Sequence, residues 1–243
     1  MLDLAGVVKA SRKFFRDHDL KDWARAIPKA CDFDALDPAH VQFAEKCGFT
    51  LGFAFPPFAL QMPSFDKLIE ASARRPVEGA PDGQQYGAPF LADSWSQVAN
   101  GKVQQRDSDL GAREWGPYLL LFSNAPVQKA WGHTGKQIQA MFHARGWDGL
   151  TVPEYFVLQR WLCERYLDHR FHDKPEDDKP SHSVWLIDSM NDKDCSVALG
   201  SARGINVKAQ SINNRDDRRA AIAGLVLPLV AAEPSKESAG GES

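Results

Sequence analysis

The sequence predicts an α+β fold, with a helix-rich N-terminal two-thirds followed by a small antiparallel sheet in the C-terminal third. Three observations carry this reading. Before residue 167, apolar residues recur at three- and four-residue spacing in several capped segments. After residue 183, four short apolar runs separated by turn residues take over. Gly200 and Gly204 bracket the connection between the second and third of these runs, as a tight antiparallel hairpin requires.

Taken in order, Leu4, Val7, Val8, Ser11, Phe14 and Phe15 define the inner face of a helix over residues 2–17, with Lys9, Arg12, Lys13 and Arg16 on its polar side. A basic amphipathic start can lie on a membrane surface, but Asp3, Asp17 and Asp19 dilute its charge, so we read it as docked on its own domain. Asp37 followed by Pro38 opens a short helix that Gly48 terminates. Residues 49–58 alternate apolar and small side chains before two prolines and form a strand or extended core segment. Ser64 is placed to cap a helix over 65–74.

Residues 75–116 are punctuated by Pro and Gly and show weak periodicity, apart from a short helix over 91–98 that presents Trp95. Residues 118–122 then read as a fully buried strand. Thr134 and Gln137 form a capping box for a helix to about residue 145, which Gly146 ends. Thr151 and Glu154 form a second box around Pro153, where a missing amide costs nothing. That helix spans 152–167, with Tyr155, Leu158, Leu162 and Tyr166 inward, broadened by Phe156, Trp161 and Cys163. A charged loop over 168–182 leads to strands at 184–187, 196–199, 205–209 and 225–229, with residues 118–122 and 51–55 as candidate additions to their sheet. Residues 1–230 are expected to form one globular domain, with any subdivision near 75–116. The polar tail 231–243 is expected to be disordered.

A hydrophobic content of 43% and a charged content of 25% are those of an ordinary globular chain, and a net charge of -3 supplies no global basic field for nucleic acid. No apolar run reaches the roughly 18 residues of a membrane helix. The cysteines at 31, 47, 163 and 195 are widely spaced, without a CxxC pair or zinc-type Cys-His spacing, which points to a reducing cytoplasmic compartment.

No motif fixes a reaction. The working expectation is a cytosolic binding or interaction protein without catalytic activity, recognising an unknown protein or small ligand through a loop-borne polar set: Asp188, Asn191, Asp192, Arg203, Asn213, Arg215 and Arg218. No cofactor is expected on this reading. The first alternative is a metal-dependent hydrolase. Imidazole and carboxylate are divalent-metal ligands, and Asp168, His169, His172 and Asp173, with His182 further on, gather both types where a helix runs into a loop. Their spacing matches no established metal motif, and a solvated ion-pair cluster accounts for them equally. The second alternative is nucleic-acid binding through Arg215, Arg218 and Arg219, whose guanidinium forks suit phosphate, although Asp216 and Asp217 offset their charge. Residues 199–204 resemble a phosphate loop only in glycine content and read better as the hairpin turn. Cys163 and Cys195 are nucleophiles only if a histidine approaches them. Of seven tryptophans, Trp161 and Trp185 belong to the core, Trp23 fits core or loop, and the loop-borne Trp95, Trp115, Trp131 and Trp147 either plug joints between layers or offer a stacking platform.

The order of a capped helix with Thr151, Pro153 and Glu154 at its entry, a strand with Trp185 and Asp188, a hairpin, an arginine-bearing loop and a last apolar strand resembles the closing half of C-type-lectin-like and formylglycine-generating-enzyme-like domains. The resemblance covers residues 146–229. It implies a shared fold for that part, and not the families' chemistry. A lectin calcium site has a Trp-Asn-Asp where Met190, Asn191 and Asp192 stand here, and the paired catalytic cysteines have no counterpart. The chain as a whole also resembles bacterial proteins of unassigned role.

Overall fold

Asp3 opens the first helix, α1 (Leu4–Asp17), by accepting the amide of Gly6, so the apolar stripe at Val8, Phe14 and Phe15 is presented to the core from the first turn onward. In this computed structural model the described residues are 2–61, 110–166, 183–190, 194–201, 204–215 and 219–233; for 188–190, 194–201, 204–206, 208 and 209 the description is of the backbone. The short α2 (Lys21–Ala26) follows, and Trp23 packs its ring on Phe15. In α3 (Pro38–Lys46), Asp37 accepts the amide of Ala39 and Gly48, at φ +76°, closes the helix.

The chain is α+β. Strand β1 (Leu51–Phe55), followed by the one-turn α4 (Phe58–Gln61), pairs antiparallel with β2 (Tyr118–Phe122), and β2 pairs antiparallel with β7 (Gly224–Pro228). The open edge of β1 is covered by α1, where the Ser11 hydroxyl accepts the amide of Ala54. The one-turn α5 (Ala112–Trp115) immediately precedes β2, and a 3-10 turn (Gln128–Ala130), α6 (Gly135–Ala144) and α7 (Val152–Tyr166) follow it. Both expected capping boxes form: Gln137 N–H to Thr134 Oγ1 with Thr134 N–H to Gln137 Oε1, and Thr151 N–H to Glu154 Oε2 with Glu154 N–H to Thr151 Oγ1.

The later strands make a second sheet, β3 (Ser183–Met190), β4 (Asp194–Ser201), β5 (Gly204–Ser211) and β6 (Arg219–Ala221), in the order β5-β4-β3-β6. The expected hairpin is β4–β5, closed by the pair Ser201↔Gly204. The expectation of one late sheet is corrected in two respects. The last strand leaves it to join β1 and β2, and β6 adds to β3 in parallel. Asp148 locks the last strand in place, exchanging both backbone hydrogen bonds with Gly224 and accepting the amide of Val226 on its carboxylate at 2.7 Å.

One cluster of buried apolar residues runs from Val8 to Leu229 and takes in both sheets. Its aromatic heart is Phe53, touched by Phe14 and Phe15 from α1, by Phe55 along β1 and by Trp161 from α7. Two side chains depart from the helical pattern. Arg12, expected on the solvated side of α1, is buried, whereas Tyr166, expected inward on α7, is 36% exposed at the helix end. The expected helices over 65–74 and 91–98, the charged loop 168–182 and residues 234–243 of the expected tail 231–243 lie outside the described residues, whereas Ala231 and Ala232 at the start of that tail are paired with Cys31 and Ala30.

Candidate binding cleft

Three elements leave a cleft of about 310 Å³ between them. The first two turns of α1 supply one wall with Asp3, Val7 and Ala10, β1 supplies the floor with Leu51, Gly52 and Phe53, and the last turns of α7 supply Trp161, Arg165 and Tyr166. Gly52 lets Leu2 and Leu121 pack close over the floor, since a Cβ would stand 2.8 Å and 3.1 Å from their terminal methyl groups. The Arg165 guanidinium lies over two rings of its own helix, 5.4 Å from the Trp161 centroid and 5.5 Å from that of Tyr166. It is thereby held at the rim with its charge available. Ser11 also lines the cleft, but its hydroxyl already donates to Val7 O and accepts from Ala54 N. The polar residues of the cleft besides Ser11 are therefore Asp3 on one wall, whose Oδ1 also accepts the Gly6 amide, Arg165 and Tyr166 on the other and Thr50 beside the floor.

Immediately behind Arg165, Glu164 ties α7 to α1. Its Oε1 accepts from His18 Nε2 at 2.9 Å and from Arg160 Nε at 2.6 Å, while His18 Nδ1 lies 2.8 Å from Phe14 O. Burial alone raises the Glu164 carboxyl's pKa, but the hydrogen bond and charge of His18, with those of Arg160, outweigh it and hold it below the ordinary range. A fully buried cluster lies elsewhere in the core. Arg113 and Tyr118 both donate to Glu154, and Gln61 donates to Tyr118. Burial, followed by the Glu154 charge, pushes the Tyr118 hydroxyl well above its usual pKa. Each carboxylate of these two groups has its donors inside the protein. We read both as structural.

A second hollow of about 230 Å³, between α5, α6 and β7, is lined by Gln139, His143, Trp147 and Asp148. Trp147 gives its indole hydrogen to Cys47 and is sandwiched by Phe49, Phe142 and Arg145, which makes it the joint-plugging tryptophan that its loop position allowed.

The loop-borne set is only partly visible. Asn213 and Arg215 are exposed in the turn after β5, and Asp188 lies in β3, where only the backbone is described. Asn191, Asp192, Arg203 and Arg218 lie outside the described residues, as do Asp168, His169, His172, Asp173 and His182. The turn at 213–215 follows the Asp194↔Ser211 end of the β4–β5 ladder, and Ser201↔Gly204 closes the opposite end. Arg219 departs from its expected place on a loop. It is 8% exposed at the start of β6, with its guanidinium 5.1 Å from the Trp185 ring and one nitrogen donating to Gln210. It does not present a fork to a phosphate backbone. Among the described residues, no three His, Cys, Asp or Glu side chains are grouped to hold a metal ion, and no helix is long and apolar enough to cross a membrane.

Neither Arg165 nor the buried pairs were singled out by motif. One signal was present: Glu154, Arg160, Glu164 and Arg165 interrupt a mostly apolar helix, and charges buried within such a stretch must find partners. Comparisons with protein-family models, with curated proteins and with solved structures yield no significant match. The resemblance of residues 146–229 to lectin-like domains accordingly rests on element order alone.

Proposed function

We propose that the protein is a cytosolic bacterial binding protein without catalytic activity of its own, and that the cleft between α1, β1 and α7 takes a small ligand. The observation that carries this is an aromatic-floored concavity whose two opposed walls bear opposite charges, Asp3 and Arg165. The volume is at the lower end for small-molecule sites, which run from roughly 300 to 1,000 Å³. An apolar body over Phe53 and Trp161, an anionic group toward Arg165 and an ammonium toward Asp3 describe an apolar amino acid or a close analogue. Free thiols at Cys31, Cys47 and Cys163 support a reducing compartment.

Titration calorimetry with leucine, phenylalanine and tryptophan tests the reading. Saturable binding by at least one of them, weakened in Arg165→Ala and by amidation of the ligand's carboxylate, is expected. Absence of binding by all three at millimolar concentration refutes it. Exposure of Asn213 and Arg215 favours a second surface for a protein partner at the end of the β4–β5 ladder that their turn occupies. Arg203 stands in sequence between Ser201 and Gly204, the pair that closes the other end of that ladder, so the expected set does not form one patch. Alanine at Asn213 and Arg215 that leaves every partner interaction intact removes that surface.

A further inference from the structure

Each sheet has two outer edges, and among the described residues β1, β7 and β6 have theirs closed. On β1 the Ser11 hydroxyl takes the amide of Ala54. On β7 Asp148 takes Gly224 with its backbone and the amide of Val226 with its carboxylate. The short β6 gives its outer carbonyls to the chain around the 3-10 turn, Ala221 O accepting from Val127 N–H at 2.9 Å and Arg219 O from Gly132 N–H at 3.3 Å. The remaining edge is β5, which ends its sheet with β4 as its one paired neighbour along all 8 residues.

The turn fixes the phase of the β4–β5 ladder. Ser201 and Gly204 close a two-residue connection, in which the closing pair exchanges both backbone hydrogen bonds. From there the register runs to Asp194↔Ser211 without a shift, so Gly204, Asn206, Lys208 and Gln210 bond to β4, while Ile205, Val207 and Ala209 turn their amides and carbonyls outward. Asn214 N–H takes the next outward carbonyl, that of Ser211, at 3.0 Å. The amides and carbonyls of Ile205, Val207 and Ala209 meet no partner on that side among the described residues. Val207 is buried in the core, which anchors the strand and holds this row in place. No proline interrupts it. From Arg203 through Lys208 to Arg215 the sequence carries three cations and no carboxylate; Asp216 and Asp217 follow the turn, and Asp194 stands one strand in, on β4.

We propose that the outer edge of β5 receives an extended, acidic segment of a partner protein as a further strand of its sheet. A row of unpaired amides and carbonyls at strand spacing is matched by another extended backbone, which supplies the missing hydrogen bonds. Charge selects the occupant. A second copy of this chain paired β5 to β5 would set two cationic strands side by side, whereas an acidic segment offsets the cations. The proposal deepens, and rests on, the reading of the Asn213 and Arg215 turn as a partner surface, which continues this edge beyond Ser211.

Amide hydrogen exchange read by NMR on the full chain tests the edge, with and without a blocked peptide of alternating valine and glutamate as long as β5. In the free chain the Ile205, Val207 and Ala209 amides should exchange about tenfold faster than those of Asn206, Lys208 and Gln210, and the peptide should remove the difference. The same peptide with lysine in place of glutamate should bind about tenfold more weakly at low salt. Ala209→Pro removes an outward donor and no bond to β4, so it should keep the fold and weaken the acidic peptide by about tenfold. Should that variant fail to fold, Lys208→Glu decides: loss of the preference for the acidic peptide supports the edge, and an unchanged preference overturns it. Outward amides already protected in the free chain overturn the proposal, as does protection that rises with protein concentration alone, which assigns the edge to a second copy. So does the absence of any effect of the acidic peptide at millimolar concentration. Peptide affinity lost in Ala209→Pro but kept in Asn213→Ala/Arg215→Ala removes the turn from the surface and keeps the edge, whereas the converse keeps the turn and overturns the edge.

Discussion

Arg113 Nε donates to Glu154 Oε1 at 2.7 Å, with both side chains withdrawn from solvent. The same carboxylate accepts from Tyr118 Oη at 2.8 Å, from Thr151 N–H at 2.8 Å and from Arg113 Nη2 at 3.2 Å. Arg113 Nη2 also reaches Gly149 O at 2.8 Å. One glutamate therefore holds α5, the central strand β2 and the entry of α7 together. A buried ionic cluster is tolerable only when its members are satisfied, and the carboxylate here meets four donors.

Glu154→Gln is expected to lower stability by about 3–5 kcal/mol, because Arg113 is left as an uncompensated buried cation. Arg113→Met should lose a comparable amount by orphaning the carboxylate. The double variant Arg113→Met/Glu154→Gln should lose less than the two singles together, by about 0.5–3 kcal/mol. Urea unfolding of the four proteins checks this. Strict additivity would show that the two groups are energetically independent.

The second capping box shows what was legible in the sequence and what was not. Thr151 and Glu154 are three residues apart, so the helix start could be read from local chemistry. The larger role of Glu154 could not, because Arg113 lies 41 positions away in a stretch with weak periodicity. The same division holds for the sheets. The burial of Tyr118–Phe122 follows from five apolar or aromatic residues in a row, but its partners, Leu51–Phe55 and Gly224–Pro228, are set by long-range register. In α1 a solvated arc was inferred from charge alone. Arg12 is buried instead, near enough to Cys31, which is bridged to Ala231, to feel its thiol, and neither of those segments is periodic. The proposed cleft was illegible for the same reason, since it is made where three distant elements meet.

Thr134→Ala should cost about 1 kcal/mol. The hydroxyl accepts the Gln137 amide, and Gln137 returns the contact to the Thr134 amide. Alanine leaves one first-turn donor of α6 to water. Thr134→Ser should recover most of the loss in the same urea titration. Equal midpoints for Thr134→Ala and the native chain would show that solvent serves this helix end as well as the cap does.

Acid sensitivity should be traceable to Glu164. Its folded pKa is held below the unfolded value, so its contribution to stability is fully present above the unfolded carboxylate pKa of about 4.3 and is lost as pH falls through the folded value. Unfolding midpoints at pH 7 and at about pH 3.5 should therefore differ less in Glu164→Gln than in the native chain. The variant is also less stable at pH 7, since His18 and Arg160 lose a charged acceptor. An unchanged pH dependence would assign the acid loss to other carboxylates.

Gly224 opens the last strand opposite Phe122, and the contact leaves no room for a side chain. A Cβ there would lie 2.8 Å from Leu120 Cδ1 and 2.9 Å from the backbone oxygen of Leu121. Leucine can turn away, but a strand carbonyl held in the sheet cannot. Gly224 also exchanges both backbone hydrogen bonds with Asp148, so the strand cannot shift without releasing them. Gly224→Ala is expected to cost about 1–3 kcal/mol, a fall in Tm of roughly 2–4 °C for each kcal/mol in a chain of this size. Gly116→Ala is the matched control, because its backbone is extended and a Cβ there meets nothing within 4 Å. Loss at residue 224 with little change at 116 assigns the effect to close approach in the sheet. Equal losses at both positions would assign it to the substitution itself and remove the steric argument.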